Sequence, residues 1–254
     1  MENVQNNEIG IGILDIYTQE DLESCYSSIP EELKPNTIVA SATNNKMVNE
    51  TYRKYGEVSM ATLRNWLISQ LRIKNIKYFF LLHSNQIVDD LNIFRNTVNI
   101  AKTFGTWFML GDGSNSLPLE DEESGLTLYA SPQMNSEFMF ILDKIVKKVG
   151  YFDERFYNTK DLDVLDYIMR LRKFGLYPNA HYNATIGNGM KKNFNKITKI
   201  GFKDIPEKDK GVSISYGYFL HKYKYIPGQD DPTGITKEEL IKNIQKIQEN
   251  YAKK

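Results

Sequence analysis

Residues 9–41 read IGIGILDIYTQEDLESCYSSIPEELKPNTIVAS and contain the first structural unit that the sequence predicts. The run Ile9–Ile16 is short, rich in isoleucine and punctuated by glycine, as a buried strand is. Thr18 offers a helix N-cap. The apolar residues after it recur at the spacing of one helical face: Leu22, Cys25, Tyr26 and Ile29. The β-branched run Thr37–Ser41 completes a strand–helix–strand unit of about 33 residues, the length of a βαβ crossover.

The same alternation continues along the chain. The sequence predicts a helix, a strand, a helix and a strand over Met60–Arg72, Tyr78–Leu82, Leu91–Phe104 and Thr106–Leu110. Alternating strands and helices predict an α/β fold, with a mostly parallel central sheet covered by helices on both faces. Ligands of such sheets bind at the carboxyl ends of the strands. Two polar stretches follow predicted strands and mark the region of interest: Thr43–Asn45 and His83–Gln86.

The second half of the chain is less regular. The sequence predicts strands over Leu126–Ala130 and Glu137–Leu142, and the four acids Glu120–Glu123 predict a solvated loop or hairpin tip. An apolar helix is predicted over Asp161–Phe174, and an amphipathic helix over Thr236–Tyr251. We therefore expect one domain over residues 1–204, followed by a C-terminal extension, residues 205–254, that packs on it through an amphipathic helix.

Composition excludes several classes of protein. The 254 residues carry 32 basic and 32 acidic side chains, so no global positive charge recruits nucleic acid or an anionic membrane. The single cysteine, Cys25, forms no internal disulfide and favours a reducing compartment. No apolar run approaches the roughly 20 residues of a membrane span, and Met1–Glu8 does not resemble a signal peptide. We expect a cytoplasmic protein; the abundance of Asn, Lys and Ile is typical of a low-GC bacterium or of a phage, whose host cytoplasm would then hold it.

Familiar catalytic motifs are absent from the sequence. It contains no GxGxxG, Walker loop, HExxH, GxSxG or paired CxxC. The three histidines are far apart in the chain, which argues against a histidine-rich metal site. Cys25 lies on the apolar stripe of the first predicted helix, where a buried structural thiol is expected rather than a nucleophile.

The most informative stretch is residues 149–175, VGYFDERFYNTKDLDVLDYIMRLRKFG. Asp161 and Asp163 fall in the first turn of the predicted helix, where the helix dipole favours negative charge. Asp166 and Arg170 are spaced as an i,i+4 ion pair. These acids therefore fit a purely structural role. The alternative from the same spacing is a site in which one carboxylate faces the ligand and acts as a general base.

The same stretch resembles the acceptor-side segment of inverting GT-A glycosyltransferases of the family-2 type, in which "vG.fDErF…eD.D…R…G" recurs. Three further segments are similar to that family in the right order. Ile9–Tyr17 resembles its first nucleotide-binding strand, Thr43–Asn45 the end of its second strand, and Leu63–Asn65 the "aRN" of a later helix. Phe219–Pro227 is similar to its "yf..KWG". The resemblance covers about residues 9–190.

The resemblance implies a Rossmann-like α/β/α sandwich and a nucleoside-diphosphate sugar donor, most commonly a UDP-sugar. A general base removes the proton of an acceptor hydroxyl, which displaces the nucleoside diphosphate with inversion. It implies that Asp161 is the base, that Asp153 and Glu154 line the acceptor side, and that Asp163 orients the base or holds the helix start. The nucleotide-sugar-binding residues that it implies are Asp15, Tyr17, Asn44, Arg64, His83, Asn85 and Lys191.

The sequence also departs from the family. Where the family has an acidic DxD that binds Mn²⁺ or Mg²⁺, this chain has His83-Ser84-Asn85-Gln86, and hard cations prefer carboxylate oxygens. Asn188 stands near the family's metal-ligating histidine, and Lys160 where a glutamate precedes the base. Three alternatives remain open: a metal-independent enzyme, an enzyme whose metal is held by His83 and Asn85, or an inactive relative that serves as a binding or structural module.

A metal-independent enzyme needs cations for the leaving diphosphate. The candidates are Lys191, Lys192, Arg64, and Lys222 or Lys224, each of which also fits an ordinary surface position. The acceptor is left open among a glycan, a lipid-linked sugar, a protein and a modified nucleobase. Aromatic residues that could stack on a sugar, or belong to the core, are Tyr151, Phe152, Phe156, Tyr157 and Trp107. A nucleotidyltransferase is disfavoured because no glycine- and lysine-rich loop follows the first strand.

Overall fold

The structure is a computed structural model, and it describes residues 4–42, 50–53, 59–90, 92–111, 117–131, 136–156, 162–176, 183–185, 190–192, 218–219, 221–223 and 242. The strands are β1 (Ile9–Asp15), β2 (Thr37–Ser41), β3 (Glu50–Arg53), β4 (Tyr78–His83), β5 (Gln86–Val88), β6 (Phe108–Leu110), β7 (Leu117–Asp121), β8 (Leu126–Ser131), β9 (Phe138–Leu142), β10 (Asn183–Thr185) and β11 (Met190–Lys192). The helices are α1 (Gln19–Ser28), α2 (Met60–Ile73), α3 (Ile93–Phe104), α4 (Asp143–Val149) and α5 (Leu162–Lys173).

Nine of the described strands form one sheet in the order β3-β2-β1-β4-β9-β6-β10-β8-β7, and β11 pairs with β5 in a second, two-stranded sheet. The neighbours β3, β2, β1 and β4 run parallel. Strand β9 runs antiparallel to both β4 and β6. The predicted α/β class is confirmed. The sheet is mixed where the sequence predicted a mostly parallel one, because β9 runs antiparallel to β4 and β6, and β8 runs antiparallel to β10 and β7.

The first βαβ unit forms as predicted. Thr18 caps α1: its Oγ1 accepts a hydrogen bond from the Asp21 N–H at 3.2 Å, and the Asp21 carboxylate accepts one from the Thr18 N–H at 3.2 Å. Every residue of β1, β2, β4 and β9 is buried. Continuous burial is typical of strands that are covered on both faces, and it places the core around these four strands.

Helix α2 packs directly on the backbone of β1. A Cβ added at Gly12 would lie 2.9 Å from Leu81 Cδ2 and 3.1 Å from Leu67 Cβ. The second atom is fixed to the α2 backbone, so a rotamer change cannot relieve the contact. Glycine in β1 therefore sets how closely α2 approaches the sheet.

Of the four acids of residues 120–123, the first two end β7, and Glu122 and Glu123 lie in the turn to β8, so only the second two form the predicted hairpin tip. No helix in the part of the chain that the structure describes is long and apolar enough to cross a membrane. The predicted helix over residues 236–251 and the expected boundary at residue 204 lie outside the described residues, except for residue 242.

We predict that Gly12→Val lowers the free energy of unfolding by about 1–3 kcal/mol, because two methyl groups must enter the packed β1–α2 interface. Urea unfolding followed by circular dichroism measures this. The control is Ile73→Val, since Ile73 is 72% exposed at the end of α2 and its trimming should change stability by less than about 0.5 kcal/mol. Equal midpoints for the two variants would contradict the close β1–α2 contact.

Candidate functional site

The carboxyl ends of β1, β2 and β4 meet at one edge of the sheet, as predicted from their polar ends. Asp15 ends β1, and its Oδ2 accepts a hydrogen bond of 2.6 Å from the hydroxyl of Ser41, which ends β2. His83 ends β4, and the ring of Tyr17 lies 6.3 Å from the His83 ring. We call these four residues together with Asn85 the strand-end edge. All five are buried.

A carboxylate reaches this edge from β9. The carbonyl of Glu137 accepts a hydrogen bond from the His83 N–H at 2.8 Å, and the Glu137 side chain accepts one from Gln86 Nε2 at 3.1 Å. The same Gln86 Nε2 donates to the side-chain oxygen of Asn85 at 3.2 Å. Because β9 is antiparallel to β4, its first residues lie where β4 ends. The turn after β4 contains no acidic residue of its own, but Glu137 lies beside it.

The donor set at the edge does not fit a hard divalent cation. Among the described residues, no group of three or more His, Cys, Asp or Glu side chains is placed to hold a metal ion. His83 offers an imidazole and Asn85 offers an amide oxygen, whereas the two carboxylates, Asp15 and Glu137, accept hydrogen bonds from Ser41 and Gln86. Mg²⁺ and similar ions favour several oxygen ligands, mainly carboxylates and water.

Strand β11 carries the predicted lysines toward the same turn. In the antiparallel pair that it forms with β5, Lys191 lies opposite Ile87 and Lys192 lies opposite Gln86. Gln86 follows Asn85 directly in the chain. The backbone of β11, which carries the two lysines, is thus hydrogen-bonded to β5, which begins directly after Asn85.

The loop of residues 151–156 is held by α2. Asn65 receives a hydrogen bond from the Phe152 N–H at 2.8 Å and donates to the Phe152 carbonyl at 2.9 Å. Glu154 accepts hydrogen bonds from Asn65 Nδ2 at 2.8 Å and from the Thr62 hydroxyl at 3.1 Å. Hydrogen bonds from Thr62 and Asn65 to Phe152 and Glu154 therefore fix this loop to the first half of α2.

Asp153 is held by three other side chains. Its carboxylate accepts hydrogen bonds from Arg155 at 2.7 and 2.8 Å, from the Tyr218 hydroxyl at 3.0 Å, and from Lys222 Nζ at 3.1 Å. Burial opposes ionisation, but the hydrogen bonds from Arg155, Lys222 and Tyr218 outweigh it and hold the pKa of Asp153 well below its ordinary value. Asp153 is therefore a firmly ionised anchor.

Arg64 and Asp163 form a buried ion pair between α2 and α5. Arg64 Nη2 also lies 3.4 Å from the Ser136 hydroxyl, one residue before Glu137. The sequence predicted Arg64 as a nucleotide-sugar-binding residue, whereas its guanidinium has no exposed surface and lies between these elements. Asp163 holds the start of α5 to α2, which is one of the two roles expected for it.

Other candidate residues divide into core and surface. Phe152 stacks on Tyr167 with ring centroids 4.4 Å apart, and Phe156 is also buried, whereas Tyr151 is partly exposed. Burial raises the pKa of the Cys25 thiol to about 12, so Cys25 is a core residue, as predicted, and not a nucleophile. Asn44, Tyr157 and Asp161 lie outside the described residues.

Four residues of the site make contacts that were not predicted from the sequence. Ser41 was seen only as the end of a strand, and Glu137 only as the start of one. Tyr218 and Tyr223 were passed over, although Tyr218, Phe219, Lys222 and Tyr223 have the spacing of one helical face. Arg64 likewise shares the spacing of one face with Leu67, Ile68 and Leu71, which would have predicted its burial.

Comparisons with known proteins support the fold. No protein-family model matches the sequence, and no curated protein matches it. The structure is similar to that of GalNAc-T7, a GT-A glycosyltransferase crystallised with UDP, GalNAc and Mn²⁺, with a TM-score of 0.50 and 10% identity over 72% of this chain and 43% of that chain. TarS of S. aureus gives a TM-score of 0.46 and 10% identity over 71% of this chain and 35% of its own. A197 from STIV gives a TM-score of 0.34 and 10% identity over 56% of this chain and 68% of its own.

This chain therefore has the GT-A fold, and the matched part spans less than half the length of GalNAc-T7. At this identity the similarity concerns the fold alone.

We predict that Asp153→Asn destabilises the protein at neutral pH and that the difference from wild type narrows as the pH falls below about 4. The folded-state pKa of Asp153 is lowered, so its contribution is present above the ordinary pKa and is lost as the pH falls toward the folded one. Urea midpoints between pH 7 and pH 3 measure this. Glu120→Gln, at an exposed position of β7, is the control. A difference that stays constant down to pH 3 would contradict the lowered pKa.

Proposed function

We propose that this protein is a glycosyltransferase that moves a sugar from a nucleoside-diphosphate sugar to an acceptor hydroxyl with inversion. One observation carries the proposal: in a chain with the GT-A fold, a polar edge at the ends of β1, β2 and β4 is linked through Glu137, Ser136 and Arg64 to the start of α5. Asp161, the candidate base, directly precedes that helix in the chain. The acceptor hydroxyl belongs to a glycan, a lipid-linked sugar, a protein or a modified nucleobase.

The donor is a UDP-sugar bound along the strand-end edge. GalNAc-T7, which shares the fold, was crystallised with UDP, and this supports a uridine nucleotide here. The donor contacts Asp15 at the end of β1 and Tyr17 just after it. It also contacts Asn44 after β2, His83 at the end of β4 and Asn85 after it. Glu137 joins them through its hydrogen bond to Gln86.

Asp161 acts as the general base of the transfer step. Its carboxylate takes the proton of the acceptor hydroxyl, whose oxygen forms a bond to the anomeric carbon. The bond between that carbon and the diphosphate oxygen breaks, and its electron pair leaves with the nucleoside diphosphate. Attack on the face opposite the leaving group inverts the configuration. Glu154 and Asp153 hold the loop that precedes Asp161 on the acceptor side.

Lysines of β11 neutralise the leaving diphosphate in place of a metal ion. The metal set of His83 and Asn85, even with Glu137 added, supplies a single carboxylate, which suits a hard cation poorly. Pairing of β11 with β5 brings the backbone of Lys191 and Lys192 beside the same turn. Cations close to the diphosphate stabilise the negative charge that develops on it as the bond breaks. Arg64 acts indirectly, because its guanidinium is committed to Asp163.

An inactive GT-A-like binding or structural module is the alternative, and the poor metal donor set favours it. The two separate in one screen: nucleotide-sugar hydrolysis and transfer, together with thermal shift, over a panel of donors. Turnover of any donor supports the enzyme. A thermal shift without turnover supports the binding module. If no donor gives either turnover or a thermal shift, the proposed donor site is overturned.

We predict that Asp161→Asn lowers kcat by about 10²–10⁴-fold and leaves the donor dissociation constant unchanged, because a general base acts only in the chemical step. Steady-state kinetics and isothermal titration with the nucleotide sugar measure the two quantities. Asp121→Asn, in the edge strand β7, is the matched control. Equal losses in binding and in rate would assign Asp161 a structural role.

We predict that EDTA leaves the activity unchanged and that replacing both Lys191 and Lys192 by alanine lowers kcat/KM by about tenfold or more, equivalent to about 1.4 kcal/mol of lost charge stabilisation. Lys144→Ala in α4 is the control. Complete inhibition by EDTA that Mn²⁺ reverses would instead make His83, Asn85 or Glu137 a metal ligand.

A further inference from the structure

A short helical segment near the C-terminus packs on the acceptor side. The helical residues 218–219 and 221–223 are called the C-terminal anchor. Phe219 has no exposed surface and packs with Phe156 and Leu162 in a small apolar cluster separate from the main core. Phe156 ends the loop of residues 151–156, and Leu162 begins α5. The anchor therefore contacts both ends of the stretch that contains Asp161.

Lys222 bridges two carboxylates across this junction. Its Nζ donates to Asp153 Oδ2 at 3.1 Å and also to Asp166 Oδ1 in α5. Each carboxylate has in addition its own tyrosine from the anchor. The Tyr218 hydroxyl donates to Asp153 at 3.0 Å, and the Tyr223 hydroxyl donates to Asp166 at 2.7 Å.

The surroundings keep Lys222 charged and in place. Burial disfavours the ammonium, but hydrogen bonds and charge attraction from Asp166 and Asp153 outweigh it and raise the pKa of Lys222. The rings of Phe156, Tyr218 and Tyr223 lie 5.4–5.9 Å from Nζ, within cation–π range. The side chain is 27% exposed, whereas that of Asp166 is fully buried. A cation in these surroundings has little freedom to move.

Arginines support each carboxylate separately. Arg155 pairs with Asp153, and Arg170 pairs with Asp166 at 2.9 Å. In the part of the chain that the structure describes, Lys222 Nζ lies within ion-pair distance of both acids. Arg170 of α5 also donates to the Tyr151 carbonyl at 2.8 Å, so it holds the beginning of the loop. Lys222 holds the loop to the helix at a second point, through Asp153 and Asp166.

We propose that Lys222 is a positioning residue, which fixes the loop of residues 151–156 against α5 and thereby the place of Asp161. This rests on the proposed function, in which Asp161 is the base. Misplacement of a catalytic group by about 1 Å costs on the order of 100-fold in rate. The C-terminal anchor therefore belongs to the acceptor side of the site, although it lies far along the chain from residues 151–156.

The test compares Lys222→Met, which removes the charge and keeps the length of the side chain, with Lys222→Arg, which retains a bridging cation. Lys147→Met is the matched control, because Lys147 pairs with Asp143 on the surface of α4 and is 60% exposed. Tyr223→Phe, which removes one hydroxyl, is a milder variant if Lys222→Met does not fold.

Amide hydrogen exchange gives a readout that needs no activity. In Lys222→Met, and to a smaller degree in Tyr223→Phe, we expect exchange in residues 151–156 and 162–167 to rise at least about tenfold, with β1 and β4 unchanged. Lys147→Met should leave these peptides unchanged. Exchange in Lys222→Met that equals the control would overturn the proposal.

Kinetics then separate positioning from general destabilisation. We expect Lys222→Met to lower kcat for transfer by about tenfold or more, with the donor KM within about twofold of wild type, and Lys222→Arg to recover most of kcat. An unchanged kcat, or a donor KM that rises in parallel with the fall in kcat, would overturn the proposal. If the wild type turns over no nucleotide sugar, the proposed function fails, and hydrogen exchange alone still decides whether Lys222 fixes the loop to α5.

Discussion

The buried ion pair between Arg64 and Asp163 determines how the two sides of the site are related. Both charges are removed from water, which is costly unless each is paired with good geometry. Arg64 also reaches Ser136, so α2, α5 and the turn before β9 meet at one guanidinium. Loss of one partner of such a pair costs roughly 3–5 kcal/mol. The start of α5 is therefore fixed relative to the sheet, and the candidate base is the residue directly before it.

Asn65 extends this frame to the loop of residues 151–156. It is the next residue after Arg64, and its amide pairs with both backbone groups of Phe152. Consecutive residues of α2 thus hold the loop before the candidate base and the helix after it. Arg64 and Asn65 together thus connect α2 to the start of α5 and to the loop of residues 151–156.

The sequence predicted the elements of the first βαβ unit, β4 and the strand-end edge, but not β3, β5, β7, β10 and β11, nor which groups complete that edge. Periodicity and capping were sufficient for β1, α1, β2 and β4, because their burial and polar ends are local properties. The direction of β9 is not local, since it depends on which neighbours the strand pairs with. A rule that looks only at carboxyl ends of strands misses Glu137, because an antiparallel strand brings its first residues to the edge where parallel strands end. The contacts of Lys222 could not be predicted for a similar reason, because its partners are distant in the chain.

The balanced net charge conceals an uneven distribution of partners. Asp153, Asp163 and Asp166 are each matched by cations within the structure, namely Arg155 and Lys222, Arg64, and Arg170 with Lys222. These cations are held in ion pairs with the acids of the loop and of α5. At the strand-end edge, the Asp15 carboxylate accepts a hydrogen bond from the Ser41 hydroxyl, and the Glu137 carboxylate accepts one from Gln86 Nε2. An anionic donor bound at this edge needs compensating cations, and the described pairing of β11 with β5 brings two lysines of the sequence to that side. In the proposed metal-independent transfer, we therefore expect Lys191 and Lys192, rather than Arg64 or Lys222, to neutralise the leaving diphosphate.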